Sequence, residues 1–196
     1  MPAGNFAATL VLRPAEPAGQ AALRSFVAAL ALRDALARVI GQVTGLALKW
    51  PNDVLMNGGK VAGILLESAS GGQGVTHLAI GIGVNLAAAP SPDAVEPGAV
   101  RPISLTEEFG VEISPEGFLN LLAVAYARYE SQFQTYGFAP IRTAWLAHAA
   151  RLGEVITART AQSETTGTFV DVDKDGQLVL ETAKGRVTIP AADVFF

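Results

Sequence analysis

The hydrophobic positions change period several times along the chain, and each change marks an element. Residues 5–12, "NFAATLVL", alternate as a strand that begins close to the first residue, and "RPAEPAG" follows as a loop. From Gln20 to Ile40 the apolar residues return at helical spacing, through Leu23, Phe26, Val27, Leu30, Leu32, Leu36, Val39 and Ile40. Gly41 then stops the helix. Three strand-like runs come next: "LALKW" (46–50), "KVAGILLE" (60–67) and "THLAIGIGVNL" (76–86). "NGG" (57–59) and "SGGQG" (70–74) divide them as turns, which predicts an antiparallel meander. Residues 87–102 are rich in Pro and Ala and read as a loop. "SLTE" predicts a short helix capped by Ser104, with Glu107 three positions on. "SPEG" predicts a second, with Ser114 as cap and Pro115 at the first helical position, and "APIRTAWLAHAA" (139–150) a third.

After about Gly153 the pattern turns to short strands split by "DKDG" and "AKGR" turns. The chain is therefore expected to be α+β, with an antiparallel sheet and helices over residues 1–150. A compact all-β unit of barrel type is expected over 151–196. That unit is too small to be very stable alone and should dock on the rest.

One stretch breaks the pattern, "KWPNDVLMNGGKVAGILLE" (49–67), where a region patterned as buried strand carries two lysines and an Asn-Asp pair. On the strand after it, period two puts Leu78, Ile80, Ile82 and Val84 on one face. The other face has Ala79, Gly81, Gly83 and then Asn85. Strand glycines cost stability unless something approaches the backbone closely, and tight helix packing or a ligand floor would each explain them. Gly63 on the neighbouring strand favours the floor. Lys60 beside such a floor can hold a carboxylate or phosphate as a point charge, where otherwise it is a solvated edge residue. Strict alternation places Lys60 and Gly63 on opposite faces, so either a bulge intervenes or one of them acts through its backbone. Pro51 ends the strand after Trp50, and Asn52 and Asp53 are read as a rigid turn at the sheet end. Asn can read a base or ribose there, Asp can take a metal or an amine, and Lys49 can reach phosphate.

Composition narrows the function. Of 196 residues, 50% are hydrophobic and 16% charged, which is a globular balance. There is no cysteine, which removes disulfides, thiolate metal sites and a thiol nucleophile, and fits a reducing cytoplasm. His77 and His148 lack metal-ligand spacing and read as surface residues. A net charge of −4 without any basic run argues against non-specific nucleic-acid binding. No apolar run reaches the ~20 residues of a membrane span, and the N-terminus does not read as a signal peptide.

Taken in order, "KWPNDV", "GKVAGILLE" and "GIGVNL" resemble the catalytic domain of the biotin protein ligases. "GNFAATLVLRP", "RPISL", and "AW" (144–145) with "LGEVIT" look like further family segments, so the resemblance covers most of the chain. It implies a class II synthetase-like core with helices on one face of a mixed or antiparallel sheet, and an SH3-like C-terminal barrel. It also implies a cytoplasmic enzyme that makes biotinyl-5′-AMP from biotin and ATP with Mg2+, then transfers biotin to a lysine of a carboxylase carrier domain. By the same resemblance Lys60 is the site lysine, contacting biotin and the phosphate-bearing intermediate. Gly63, Gly81 and Gly83 would line the biotin pocket. Lys49, Asn52, Asp53 and Asn85 would face the adenylate, with Asp53 or Asn85 holding magnesium. Arg159, Lys174 and Lys184 of the barrel are candidates to reach phosphate or carrier.

The family's glycine-arginine loop and the strand before it have no counterpart ahead of "NFAATLVL". The chain is therefore expected to be an N-terminally truncated ligase with weak or no activity, an exposed apolar sheet edge and poor solubility. No winged-helix DNA-binding domain is present in it, so no DNA partner is expected, and a homodimer paired at a sheet edge is compatible with the family. Rival readings are a lipoate or octanoate ligase of the same superfamily, a catalytically dead fragment that binds a ligand or partner, and a generic domain with structural glycines.

Overall fold

The computed structural model of the chain describes residues 2–41, 44–71, 74–96, 98–160, 162–190 and 192–195. The first sheet holds β1 (Phe6–Leu12), β2 (Leu46–Lys49), β3 (Asp53–Met56), β4 (Gly59–Gly71) and β5 (Gly74–Val84), all antiparallel, in the order β1-β5-β4-β3-β2. The predicted meander is present with one more strand than expected. Residues 53–56 form β3, and all four are buried. A strand covered along its whole length shows no period-two alternation, so it left no pattern to read. Asp53 accordingly starts a strand and is not part of the turn, which keeps Pro51 and Asn52. The "NGG" turn is a two-residue hairpin loop with positive φ at Asn57 (49°) and Gly58 (78°). The hairpin tip at 72–73 lies outside the described residues.

The expected long helix is two helices, α1 (Ala18–Ala22) and α2 (Arg24–Ile40), meeting at Leu23. After the loop come α3 (Leu105–Phe109), α4 (Pro115–Tyr136) and α5 (Phe138–Leu146). Both predicted caps form: Ser104 Oγ accepts from the Glu107 amide at 3.3 Å, and Ser114 Oγ from the Gly117 amide at 3.0 Å. The apolar faces of α2 and α4 pack together on one side of the sheet. Leu30, Leu32 and Leu36 meet Leu78, Ile80, Ile82 and Val84 there in one buried core. None of the helices described is long and apolar enough to cross a membrane. Along β1, the outer strand, Val11 is exposed.

The C-terminal residues form a second antiparallel sheet from β6 (Val155–Arg159), β7 (Glu164–Val172), β8 (Leu178–Thr182), β9 (Gly185–Ile189) and β10 (Asp193–Phe195). Its order is β10-β6-β7-β8-β9, so among the described residues β9 and β10 are its two edges and the sheet does not close into a barrel. The expected docking is specific. Gly176, in the β7–β8 turn, has φ +80°, and a Cβ there would come within 2.8 Å of Leu23 Cδ2. Its carbonyl accepts from Trp50 Nε1 at 3.0 Å. Glycine is thus required by both backbone and space where this turn seats on the α1–α2 junction. Arg142 of α5 adds contacts to Asp171 and to the Val172 carbonyl.

Candidate functional site

The site begins with an irregularity in β4. Val54 pairs with Ala62 and Leu55 with Lys60, so the register shifts and β4 carries one extra residue, Val61. This bulge removes the conflict between Lys60 and Gly63. A Cβ built on Gly63 would lie 3.4 Å from Lys60 Cε and 3.5 Å from both Lys60 Nζ and Asp53 Oδ1. The lysine chain therefore lies over the bare backbone of Gly63, on the face turned away from the helices. In register across the sheet are Asp53, Gly63, Gly83 and Ala7, so the row beside the charges is nearly free of side chains.

Asp53 gathers the cations. Lys60 Nζ is 2.6 Å from Asp53 Oδ1 and Lys49 Nζ 3.8 Å from Oδ2. The Lys60 contact is a close ion pair without hydrogen-bond alignment, which leaves the buried Oδ1 short of an aligned donor. The Asp53 and Lys49 side chains are about nine-tenths buried, whereas that of Lys60 is 42% exposed. A carboxylate removed from water in this way is held by its cations. Burial pushes the Lys49 ammonium below the ordinary lysine value and the Lys60 charge adds to that, while Asp53 and Asp193 pull the other way.

The backbone of Lys60 is fixed from outside the sheet. Its amide donates to the Arg101 carbonyl at 2.8 Å, and its carbonyl accepts from the Ile103 amide at 2.9 Å. Ile103 can lie this close because residue 59 is glycine: a Cβ there would be 2.5 Å from Ile103 Cγ2. The same segment is tied to Asn85, whose Nδ2 donates to the Ile103 carbonyl at 3.0 Å. Asn52 has a different task. Its Nδ2 donates to the Ile64 carbonyl at 2.7 Å and its carbonyl accepts from the Ile64 amide at 2.9 Å, which clamps β4.

These elements enclose a cavity of about 390 Å³. Of the residues singled out in the sequence, Lys49, Asp53, Lys60, Gly63, Gly83 and Asn85 line it. Asn52 and Gly81 do not, although Gly81 shares the open face two residues from Gly83. Nor do Arg159, Lys174 or Lys184. Arg159 is engaged by Glu96 and Glu164, and Lys174 by Asp175. Sequence reasoning missed the opposite wall, made by Pro90, Val95, Glu96, Ala99, Val100 and Pro102 of the loop and by Asp193, Val194 and Phe195 of β10. These residues come from stretches with no polar motif, and only the tertiary fold brings them to Lys60. One wall of the cavity is thus cationic and glycine-floored and the other mostly apolar, a shape suited to an amphipathic acid and a phosphorylated ligand.

Comparison with known proteins supplies the context. Residues 1–85 match the Biotin/lipoate A/B protein ligase family, and residues 152–196 the Biotin protein ligase C terminal domain. A Biotin--[acetyl-CoA-carboxylase] ligase of Paracoccus denitrificans is 62% identical over 196 residues, covering all of this chain and 82% of the relative. The Bifunctional ligase/repressor BirA of Bacillus subtilis is 32% identical over 188 residues, 95% of this chain but 56% of that protein. Among solved structures, Biotin protein ligase from Aquifex aeolicus in complex with biotin and ATP superposes with a TM-score of 0.82. At 23% identity over 97% of this chain and 77% of that one, it speaks for the fold.

Proposed function

The chain belongs to the biotin protein ligase family, and on that premise we propose that it joins biotin to a lysine of a carboxyl carrier protein at the expense of ATP. The observation that carries the reading is the pair of lysines gathered on Asp53 beside the glycine row. In the first step a biotin carboxylate oxygen attacks the α-phosphorus of ATP. The bond to the bridging oxygen breaks, pyrophosphate leaves, and biotinyl-5′-AMP remains. Two carboxylate and phosphate anions must be brought together for this, and Lys60 and Lys49 supply fixed positive charge where they meet. Lys60, the more exposed of the two, is placed to follow the reacting oxygens, while buried Lys49 holds the triphosphate side. In the second step the carrier lysine attacks the acyl carbon, the mixed anhydride breaks, and AMP leaves.

The rest of the site serves binding. Gly63 and Gly83 give the acid a floor without side chains, and Gly81 extends it along the same face. Asn85 stands on the nucleotide side, while Asn52, outside the cavity, holds β4 in place through Ile64. Asn85 spends its Nδ2 on Ile103 and its backbone carbonyl on the Leu105 amide, which leaves its side-chain Oδ1 for a ligand. No group of three or more metal-ligating side chains occurs among the described residues. What fits magnesium here is Asp53 Oδ1, buried and without an aligned donor, because that ion keeps several waters and binds through substrate phosphates and one or two protein oxygens. Asp53 and Asn85 would be those protein ligands, and the ion would neutralise phosphate charge.

The test is to incubate the chain with MgATP, a carrier domain, and biotin in competition with octanoate and lipoate, reading the modified lysine by mass. Of the acid transferred, at however low a rate, biotin is expected in large excess over octanoate and lipoate. Octanoyl or lipoyl modification at comparable rates would move the assignment to the lipoate branch of the superfamily. A folded chain that binds biotin and ATP but modifies nothing would make it a binding protein.

A further inference from the structure

Strand β2 is the outermost strand of the first sheet, and it ends at Lys49. Successive residues at that end face opposite ways: Lys49 lines the cavity, whereas Trp50 is buried in the core behind it. An edge strand has one partner within its sheet, so its end must be held from outside. Two ties do this. The Leu48 amide donates to the His148 carbonyl and the Ala150 amide to the Leu48 carbonyl, each at 2.8 Å, so the segment after α5 bridges to β2 in parallel. The second tie is the 3.0 Å hydrogen bond from Trp50 Nε1 to the Gly176 carbonyl, in the β7–β8 turn. That turn is itself fixed. Asp173 Oδ1 accepts from the Asp175 and Gln177 amides, each at 2.9 Å, and Gly176 packs closely on Leu23 and Phe26. On the cavity side, Lys49 Nζ stands 3.8 Å from Asp53 Oδ2, beyond hydrogen-bond length, so that pair alone does not fix it.

We propose that Trp50 is a positioning residue for ATP: through its hydrogen bond to Gly176, the C-terminal sheet holds the end of β2 and sets where the Lys49 ammonium meets phosphate. The inference rests on the proposed ligase reading. A ring that only filled the core would need no N–H, and phenylalanine would serve. A buried indole N–H demands a partner, and the partner it has lies in the turn of the other sheet. Biotin depends less on this tie, because its proposed floor is on β4 and β5, which β3 separates from β2.

The test uses the whole chain with Trp50→Phe, which keeps a ring in the core and removes the donor. The KM for ATP, and the Kd for ATP titrated without biotin, are expected to rise about 3- to 10-fold, the worth of one neutral hydrogen bond. The KM for biotin should change by less than about twofold. A role confined to packing would lower the melting temperature and leave both constants of the folded chain alone. Hydrogen exchange reads the tie without any ligand: amides of the β2–β3 hairpin, residues 46–56, should exchange faster in the variant, and those of β5 should not. An ATP constant at the parent value, or a rise in the KM for biotin equal to that for ATP, would overturn the proposal. Unchanged exchange over residues 46–56 would overturn it as well. Weakened ATP binding in a Trp50→Phe variant of a chain that transfers no biotin would count against the ligase reading alone.

Discussion

Strands β4 and β5 expose two different chemistries from alternate residues of the same backbone. Toward the helices they present Ile64, Leu78, Ile80, Ile82 and Val84, all buried against α2 and its neighbours. Toward the cavity they present Gly63, Gly83 and, through the bulge at Val61, Lys60. The first face is explained by area removed from water. The second gives up such burial at two glycines and gathers two cations on one buried carboxylate, a poor arrangement for stability alone. The contrast indicates that the helix face holds the sheet rigid so that the other face can keep an arrangement that stability would not choose.

That division of labour can be broken from either side. Lys60→Ala should lower biotin transfer by about 100- to 1,000-fold, the range for loss of one preorganised charge-stabilising group, with only a modest fall in melting temperature, because Lys49 still pairs with Asp53 and the Lys60 side chain is 42% exposed, so water can take its place. Ile80→Ala should do the reverse. It should cost about 2–5 kcal/mol in denaturant unfolding because the side chain is fully buried, yet the fraction that remains folded should turn over normally. A Lys60 variant that melts far below the parent, or an Ile80 variant with a specific loss of kcat, would show that the faces are not separable.

Two smaller effects sharpen the comparison. Gly59→Ala places a methyl 2.5 Å from Ile103 Cγ2, so the strap at 101–103 must shift, and Lys60 with it. A fall in kcat of about tenfold to a hundredfold is expected, and the same substitution at exposed Gly19, where a Cβ meets nothing, should leave kcat unchanged. The pH profile should carry the signature of Lys49. Its ammonium loses its proton below the ordinary value of 10.5 because of burial, so the alkaline limb of kcat/KM for ATP should begin below that value. Lys49→Arg, which keeps its charge to higher pH, should move the limb upward, and an unmoved limb would assign it to another group.

The parts of this architecture that local sequence revealed are those that local physics controls. The alternation of Leu78, Ile80, Ile82 and Val84, the serine caps at 104 and 114, and the glycines opposite the core each declare themselves within a few residues. Strand β3 did not, because "DVLM" is buried throughout and sits between a proline turn and a hairpin. The bulge was legible only as a conflict of parity between Lys60 and Gly63, and the pairing with β3 resolved it. The open form of the C-terminal sheet depends on whether β9 and β10 pair, which no local pattern states. Phe195 was beyond reach for the same reason, since 135 positions separate it from Lys60 in the chain.

The central claim is that the two lysines gathered on Asp53 assemble biotin and ATP for adenylate formation. Biotin-dependent exchange of labelled pyrophosphate into ATP tests it without any carrier protein. The account predicts exchange that requires biotin in the unaltered chain and falls about 100- to 1,000-fold in a folded Lys60→Ala variant. Exchange that persists undiminished in that variant would contradict it.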